Sequence, residues 1–527
     1  MSNKKIKIWF PILFALVMIA GMVIGYKLKE NTTGSSFLKP YKTNSLQEVL
    51  NLIRSKYVDA VNVDSLEGKA IEEVLHQLDP HSAYISPVDL SQINEEMKGS
   101  FEGIGVEFQI FNDSVHVMNV ITDGPADKAG IQIGDCFVTV NDTTSIAGKK
   151  VDADKIRSLL KGAGGSLVKV GIIRNQKPLS ITIKRGIIPI KSLDADFMLD
   201  SVTGFIHLNR FAESTYIEFM MALERLQKQG MKKLVLDLRN NGGGLLSKAV
   251  AIADEFLDED KLVVYTEGLR SPKYEYRCRK EGLFEKGSLV VLIDETSASA
   301  SEVLAGALQD WDRATIVGRR SFGKGLVQDQ YVLKNGGGLR LTIARYYTPL
   351  GRNIQKSYAK GQDIYNKEIL ERLEHGGLEK SDSLINTGKI YTTAKGKKVY
   401  GGGGITPDYF EALDTSFYHS SISKLYAKST LLKFTLQYFS LRNSYLKSFT
   451  SFQNFNTAFA LTETDINNVI SLARKDSVNI LKFTDKEKVE IKQKIKNQLA
   501  RFLWKSNGYY QSVATSDNII KKALEIK

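Results

Sequence analysis

Residues 288–309 read Ser288-Leu-Val-Val-Leu-Ile-Asp-Glu-Thr-Ser-Ala-Ser-Ala-Ser-Glu-Val-Leu-Ala-Gly-Ala-Leu-Gln309. The apolar run Ser288–Ile293 has the pattern of a strand buried on both faces. A turn of small residues follows, and then a helix is expected from Ser299 to Gln309. The pattern occurs also at Leu234-Val-Leu-Asp-Leu238, which leads through a Gly-rich turn to a helix expected over Leu246–Phe256. Strands alternating with helices from Gly204 to about Thr348 predict a layered α/β core. Open sheets of this kind hold ligands beyond the carboxyl ends of their strands. Ser299 falls there, at a helix start where the dipole and unpaired N–H groups stabilise a developing negative charge. Taken alone, such serines are more often ordinary helix caps.

The next segment changes that balance. In Ser321-Phe-Gly-Lys-Gly325 two glycines flank Lys324 and permit close backbone approach. If extended geometry begins at Lys324, then Lys324, Leu326 and Gln328 face one side. A lysine at the start of an apolar strand is partly desolvated, which favours its neutral form. A neutral amine takes a proton from a serine hydroxyl, and Gln328 is placed to hold that amine. The chain has no Gly-x-Ser-x-Gly elbow and no His-Glu-x-x-His helix. None of its six histidines lies in the Gly-rich turns of the α/β core.

Outward from this core, 527 residues suggest about three domains. The net charge of +13 comes from dispersed Lys and Arg, so a basic surface with affinity for anionic membrane is expected and nucleic acid is not. The two cysteines, Cys136 and Cys278, imply no disulfide framework, and Cys136 is expected as a buried free thiol. Lys4, Lys5 and Lys7 precede an apolar stretch, Ile8–Tyr26, that as a helix spans about 28 Å. A retained membrane anchor is preferred over a cleaved signal peptide, with the bulk of the chain exported. Asn31–Ser36 reads as a polar linker. Helices follow, one with apolar positions Leu46, Val49, Leu50 and Ile53 and one over Leu66–Leu78. Phe101–Arg185 reads as a small β-rich module with short helices at Ala126–Ala129 and Asp152–Leu160.

Three segments together resemble the carboxyl-terminal processing peptidases: TSASASEVLAGALQD (296–310), GRRSFGKGLVQ (318–328) and LDLRNNGGGLL (236–246). Lys324 follows Ser299 by 25 residues, which matches the family's nucleophile-to-lysine spacing. The resemblance implies a Ser/Lys endopeptidase with Ser299 as nucleophile, Lys324 as general base and Gln328 orienting the lysine. It implies an oxyanion hole from the backbone N–H groups of Gly243 and Ala300, although Gly242 stands where the family usually has proline. Residues 101–108 (FEGIGVEF) and 124–131 (GPADKAGI) resemble a PDZ domain. Gly103, Ile104, Gly105 and Val106 would then be its carboxylate-binding loop, with Lys161 nearby where relatives often carry arginine. LDPHSAY (78–84) resembles the family's amino-terminal segment, and His81 there is read as structural. TPLGRNI (348–354) and GITPD (404–408) resemble its closing core motifs.

The expected architecture is therefore multidomain α+β. It comprises a membrane helix (8–26), a helical segment (40–95), a PDZ domain (96–186), a crotonase-like α/β protease core (187–412) with an insertion at about 355–397, and a helical tail (413–527). The expected function is cleavage of proteins near a C terminus held by the PDZ domain, in the cell envelope. A single-pass inner-membrane protein with its catalytic part in the periplasm is expected. No metal or cofactor is implied, and homo-oligomers are compatible with the sequence. The alternatives are a membrane-tethered PDZ adaptor with an inert core and, more weakly, an esterase.

Overall fold

The computed structural model describes residues 4–31, 45–148, 152–374, 388–415 and 420–526. Two compact units divide the chain, Met1–Glu73 and Val74–Lys527. In the first, the helix Lys4–Asn31 contains Trp9–Lys27, which has mean hydropathy 2.1 and no buried share. It is long and apolar enough to cross a membrane, a property that membrane spans and signal sequences share. The helix Ser45–Lys56 follows. The expected linker lies almost wholly outside the described residues.

The centre of the second unit is a six-stranded sheet. Its order is Leu193–Met198, Thr203–Leu208, Lys233–Asp237, Ser288–Ile293, Thr315–Gly318 and Tyr409–Phe410, parallel except for the first pair. Strands buried on both faces need apolar side chains at consecutive positions. Leu234 and Leu236, with Leu289, Val291 and Ile293, pack beneath the helices Thr215–Lys228, Leu246–Ala253 and Ala300–Asp310. Their neighbours Val235, Val290 and Leu292 meet Ile519, Ile520 and Ala523 on the opposite face. An antiparallel sheet stands beside this core, with Gly338–Tyr347 pairing Ala83–Ile85, Leu262–Gly268 and Leu326–Val332.

The β-rich module is an antiparallel sheet in the order Val106–Phe111, Ser114–Val120, Cys136–Val140, Leu167–Arg174 and Lys177–Lys184. Helices Pro125–Lys128 and Ala153–Leu160 complete it. The two-stranded ribbon Ser100–Gly103 with Gly186–Pro189 carries the chain into and out of the module. Cys136 is half-buried, Cys278 is buried, and both are free.

Two expectations differ from the structure, and the expected insertion proves to have elements of its own. The strand begins at Leu326, as its sequence indicates, but Lys324 lies outside it and a register shift between Val327 and Gln328 breaks the alternation that would put Lys324, Leu326 and Gln328 on one face. The insertion contains a helix, Gln362–Glu374, and a hairpin, Ile390–Thr392 with Lys398–Tyr400, while 375–387 lie outside the described residues. The tail is not a body apart. Its first helices share one apolar cluster with Phe111 and Met118 of the β module, and its last helix, Asn518–Glu525, covers the back of the central sheet. Apolar positions on both sheet faces require such a third layer.

Candidate active site

Three loops leave the carboxyl edge of the central sheet and converge. Arg239–Leu245 follows Lys233–Asp237, Asp294–Ser299 follows Ser288–Ile293, and Arg319–Gly325 follows Thr315–Gly318.

The first two are stitched together by short polar side chains. Asp294 accepts from the amides of Asn240 (3.2 Å), Thr296 (3.1 Å) and Ser297 (3.1 Å). The Ser297 hydroxyl donates to Leu238 O at 2.8 Å and that of Ser301 to Asn241 O at 2.9 Å. The Ala298 amide donates to Asn241 O at 3.1 Å. Ser299 emerges with φ +55° and ψ −115°, a conformation that costs a non-glycine residue on the order of 1–3 kcal/mol. The surrounding bonds hold it there, and the residue is half-buried.

Gly243, at φ +100°, lies directly against this turn. A Cβ on it would stand 2.7 Å from the Ser299 Cβ and 2.7 Å from Ala298 O, so only glycine fits. Its amide donates to Asn241 Oδ1 at 2.9 Å. To serve an oxyanion, that amide must release or share the bond. The Ala300 amide, at the first position of its helix, has no acceptor among the described residues. A Cβ on Gly242 would meet nothing within 4 Å, so a side chain has room at this position.

The lysine turn is tied to the serine turn through its backbone. Glu302, one turn into the helix and buried, accepts through Oε2 from the amides of Ser299 (2.9 Å) and Lys324 (2.8 Å). Its Oε1 accepts from the Gly323 amide (2.7 Å) and the Ser321 hydroxyl (2.5 Å). Burial pushes this carboxyl up to about 7, against the pull of those four donors. From the other side, the buried Tyr346 hydroxyl faces the carbonyl oxygens of both Ser299, at 3.2 Å, and Lys324. Burial, with the Arg340 charge, lowers Lys324 to about 8, against the pull of Glu302 and Asp79.

No hydrogen bond joins the Ser299 hydroxyl to the Lys324 amine among the described residues. The Gln328 amide group reaches only Leu326 O, at 3.5 Å. The break in strand alternation accounts for this, since Lys324 and Gln328 no longer share a pleat. His81 is nearby, its ring nitrogen 2.7 Å from the Tyr365 hydroxyl, and burial followed by the Lys324 charge lowers it to about 4.

In the β module, Gly105 has φ +78° and Ile104 is buried. The carbonyls of Ile104 and Gly105 accept from Ala126 (2.8 Å) and Ile121 (3.0 Å), while Val106 begins the strand paired with Val120. The amides of Ile104 and Gly105 have no acceptor among the described residues. Donors left open in this way are available to water or to a ligand. Lys161 caps the helix Ala153–Leu160, and its ammonium bonds Glu95 at 2.5 Å and lies 4.9 Å over the Phe101 ring. Its Cα would be 3.7 Å from a Cβ on Gly103.

Glu302 and Tyr346 were the residues that sequence reasoning missed. Glu302 stands three positions after the helix-start serine, the spacing of a capping box, and that was the available signal. Tyr346 carried none. Among the described residues no group of three or more His, Cys, Asp or Glu side chains is placed to hold a metal ion.

The family profile described as Peptidase family S41 matches residues 202–364, and the PDZ domain profile matches 103–184. A family of unknown function matches 421–505. A carboxy-terminal-processing protease of Bartonella bacilliformis is 36% identical over 314 residues, 58% of this chain and 71% of that protein. A Staphylococcus haemolyticus protein named "Probable CtpA-like serine protease" is 34% identical over 408 residues, 75% of this chain and 79% of its own length. The solved photosystem II D1 C-terminal processing protease is 31% identical, with a TM-score of 0.36, covering 59% of this chain and 83% of that one.

Proposed function

The chain belongs to peptidase family S41, among the carboxy-terminal-processing serine proteases, with a PDZ domain; from that premise we propose that it cuts with a Ser299/Lys324 dyad. The observation that carries this reading is the pinning of both turns by one buried carboxylate, Glu302, and one buried hydroxyl, Tyr346, beside a lysine lowered by burial.

Neutral Lys324 takes the Ser299 hydroxyl proton as Oγ attacks the scissile carbonyl. The amide of Ala300, joined by that of Gly243 once it leaves Asn241, holds the oxyanion. On collapse the C–N bond breaks and the amine leaves with the proton from Lys324. Water, deprotonated by Lys324, then attacks the acyl-enzyme, and the Ser299 hydroxyl is regenerated.

The open amides at Ile104 and Gly105 suit a substrate's terminal carboxylate, with the peptide extending along Val106–Phe111 as an added strand. Gly103 shapes the loop and Lys161 borders it. The unmade Ser299–Lys324 contact, the unengaged Gln328 and the occupied Gly243 amide fit a resting arrangement that a bound C terminus shifts toward the working one. The apolar helix Trp9–Lys27 fits a retained membrane anchor, with the catalytic unit on the envelope side.

The test uses the full chain in detergent micelles with an unfolded protein substrate. Ser299→Ala and Lys324→Ala are each expected to abolish cleavage while still binding a C-terminal peptide. Undiminished cleavage by either variant overturns the dyad.

A further inference from the structure

The inserted helix Gln362–Glu374 has an unusual buried face. Two of its aliphatic residues, Ile364 and Leu370, are exposed, 46% and 58%, and Ile369 is half-buried, whereas Tyr365 and Arg372 are buried. An ordinary surface helix does the reverse. The buried side chains of this helix make directional contacts, and these converge on the turn that carries Lys324.

Glu368 gathers three cations. Its carboxylate accepts from Arg320 (3.0 Å), Arg372 (2.5 Å) and Lys356 (3.2 Å), each less than 10% exposed. Arg372, fixed by Glu368, donates to Arg320 O (3.1 Å) and Ser321 O (3.4 Å), at the entry to the lysine turn. The Lys356 ammonium lies 4.1 Å from the Phe322 ring centroid and 4.2 Å from that of Tyr365, while its amide donates to Gly323 O at 2.9 Å. Gln355 accepts from the Gly325 amide at 2.8 Å and reaches the Tyr365 hydroxyl at 3.4 Å. Residues 320–323 and 325, on both sides of Lys324, are thus held by the insertion and its flank.

Resting on the reading of Lys324 as the general base, we propose that this helix sets the geometry of the lysine turn, with Glu368 and Arg372 as positioning residues. Without Glu368 the three cations repel one another and the turn loses its outer hold. Glu302 and Tyr346 hold only its inner side. Tyr365, Phe322 and His81 close an aromatic wall next to the turn, with ring centroids 5.4–6.3 Å apart. Loosening admits water. The charges that face Lys324 otherwise, Glu302, Asp79 and Arg340, stay in place, so the amine drifts back toward an ordinary lysine.

The experiment compares wild type, Glu368→Gln, Arg372→Ala and Arg372→Lys as full chains in micelles, against a short polypeptide substrate. Active sites are counted by burst titration with an activated ester. Glu368→Gln and Arg372→Ala are expected to lower kcat per titrated site by about tenfold at pH 8, with the acid limb of the kcat profile moved up by about one pH unit. KM is expected to hold, and Arg372→Lys to recover part of the loss. Fewer titratable sites with unchanged kcat per site and an unchanged limb would show a purely structural helix and overturn the proposal. Lys324→Ala separates the two levels. If it keeps wild-type activity, the base assignment itself fails; if it is inactive while the Glu368 variants keep the wild-type limb, only the role of the helix fails.

Discussion

Ser299 and Lys324 direct their backbone amides at the same atom, Oε2 of Glu302, at 2.9 and 2.8 Å. Neither side chain makes that link. The two turns that carry the nucleophile and its base are brought together through main chain.

Glu302→Gln tests this arrangement. An amide keeps one oxygen and places an NH2 among four donors, so two of the four bonds become donor against donor. Hydrogen bonds to a charged group contribute about 1.5–3 kcal/mol each. The expected loss in kcat is on the order of a hundredfold, with KM and PDZ-peptide affinity near wild type and an unchanged far-UV circular dichroism spectrum. Wild-type kcat in the variant would mean that the shared carboxylate is incidental.

The pH profile follows from two titrations. Burial lowers Lys324 to about 8, and only the neutral amine accepts a proton, so kcat is expected to be low below pH 7 and to climb through pH 8 to a plateau. Burial raises Glu302 from 4.5 to about 7, and its four donors suit the ionised form, so the framework is complete only above that pH. The linkage has a definite sign. Between pH 4.5 and 7 the folded state holds a proton on Glu302 that the unfolded state releases, so this group's contribution to stability falls as pH rises across that window. Steady-state kcat from pH 6 to 10 checks the first statement. Denaturant midpoints of wild type against Glu302→Gln from pH 5 to 8 check the second.

Gly243→Ala and Gly242→Ala form a matched pair one residue apart. The first adds a methyl 2.7 Å from the Ser299 Cβ at φ +100°, and the second adds one into open space. Activity below a hundredth of wild type is expected for Gly243→Ala, and activity within about twofold for Gly242→Ala. Equal kcat/KM for the two would mean that the Gly-rich loop does not approach the serine turn in the working enzyme.

The sequence disclosed the parts of this architecture that periodicity and turn chemistry determine. The buried strand Ser288–Ile293 matches at both ends, and the helix after Ser299 is displaced by one residue because Ser299 is its cap. Gln328 exposes the limit of alternation as a guide, since one register shift at Val327 moves every later side chain. The charged, Gly-interrupted insertion carries no amphipathic signal for its helix, which buries Tyr365 and Arg372 and leaves Ile364 and Leu370 exposed. The tail read as separate because the face it covers, Val235, Val290 and Leu292, is specified more than two hundred residues earlier, and no local pattern encodes such a contact.

Asp517 tests whether the tail does more than cover that face. Its Oδ2 lies 2.8 Å from Arg239 Nη1, while Arg239 also grips the fully buried Asp237 at the entry to the Gly-rich loop. Its Oδ1 caps the last helix, accepting from Ile519 at 2.8 Å and Ile520 at 3.1 Å. The two roles separate by substitution. Asparagine keeps a good cap and loses the charge; alanine loses both, and the missing cap alone costs about 1 kcal/mol. Asp517→Ala is therefore expected to lower both stability and kcat. Asp517→Asn is expected to leave the thermal midpoint within about 2 °C of wild type yet to lower kcat several-fold, because Arg239 then swings toward Asp237 alone and the loop beside Ser299 loses its outer tether. If Asp517→Asn cleaves at the wild-type rate, the tail acts on the site only by packing, and the Arg239 pair is a surface detail of that packing.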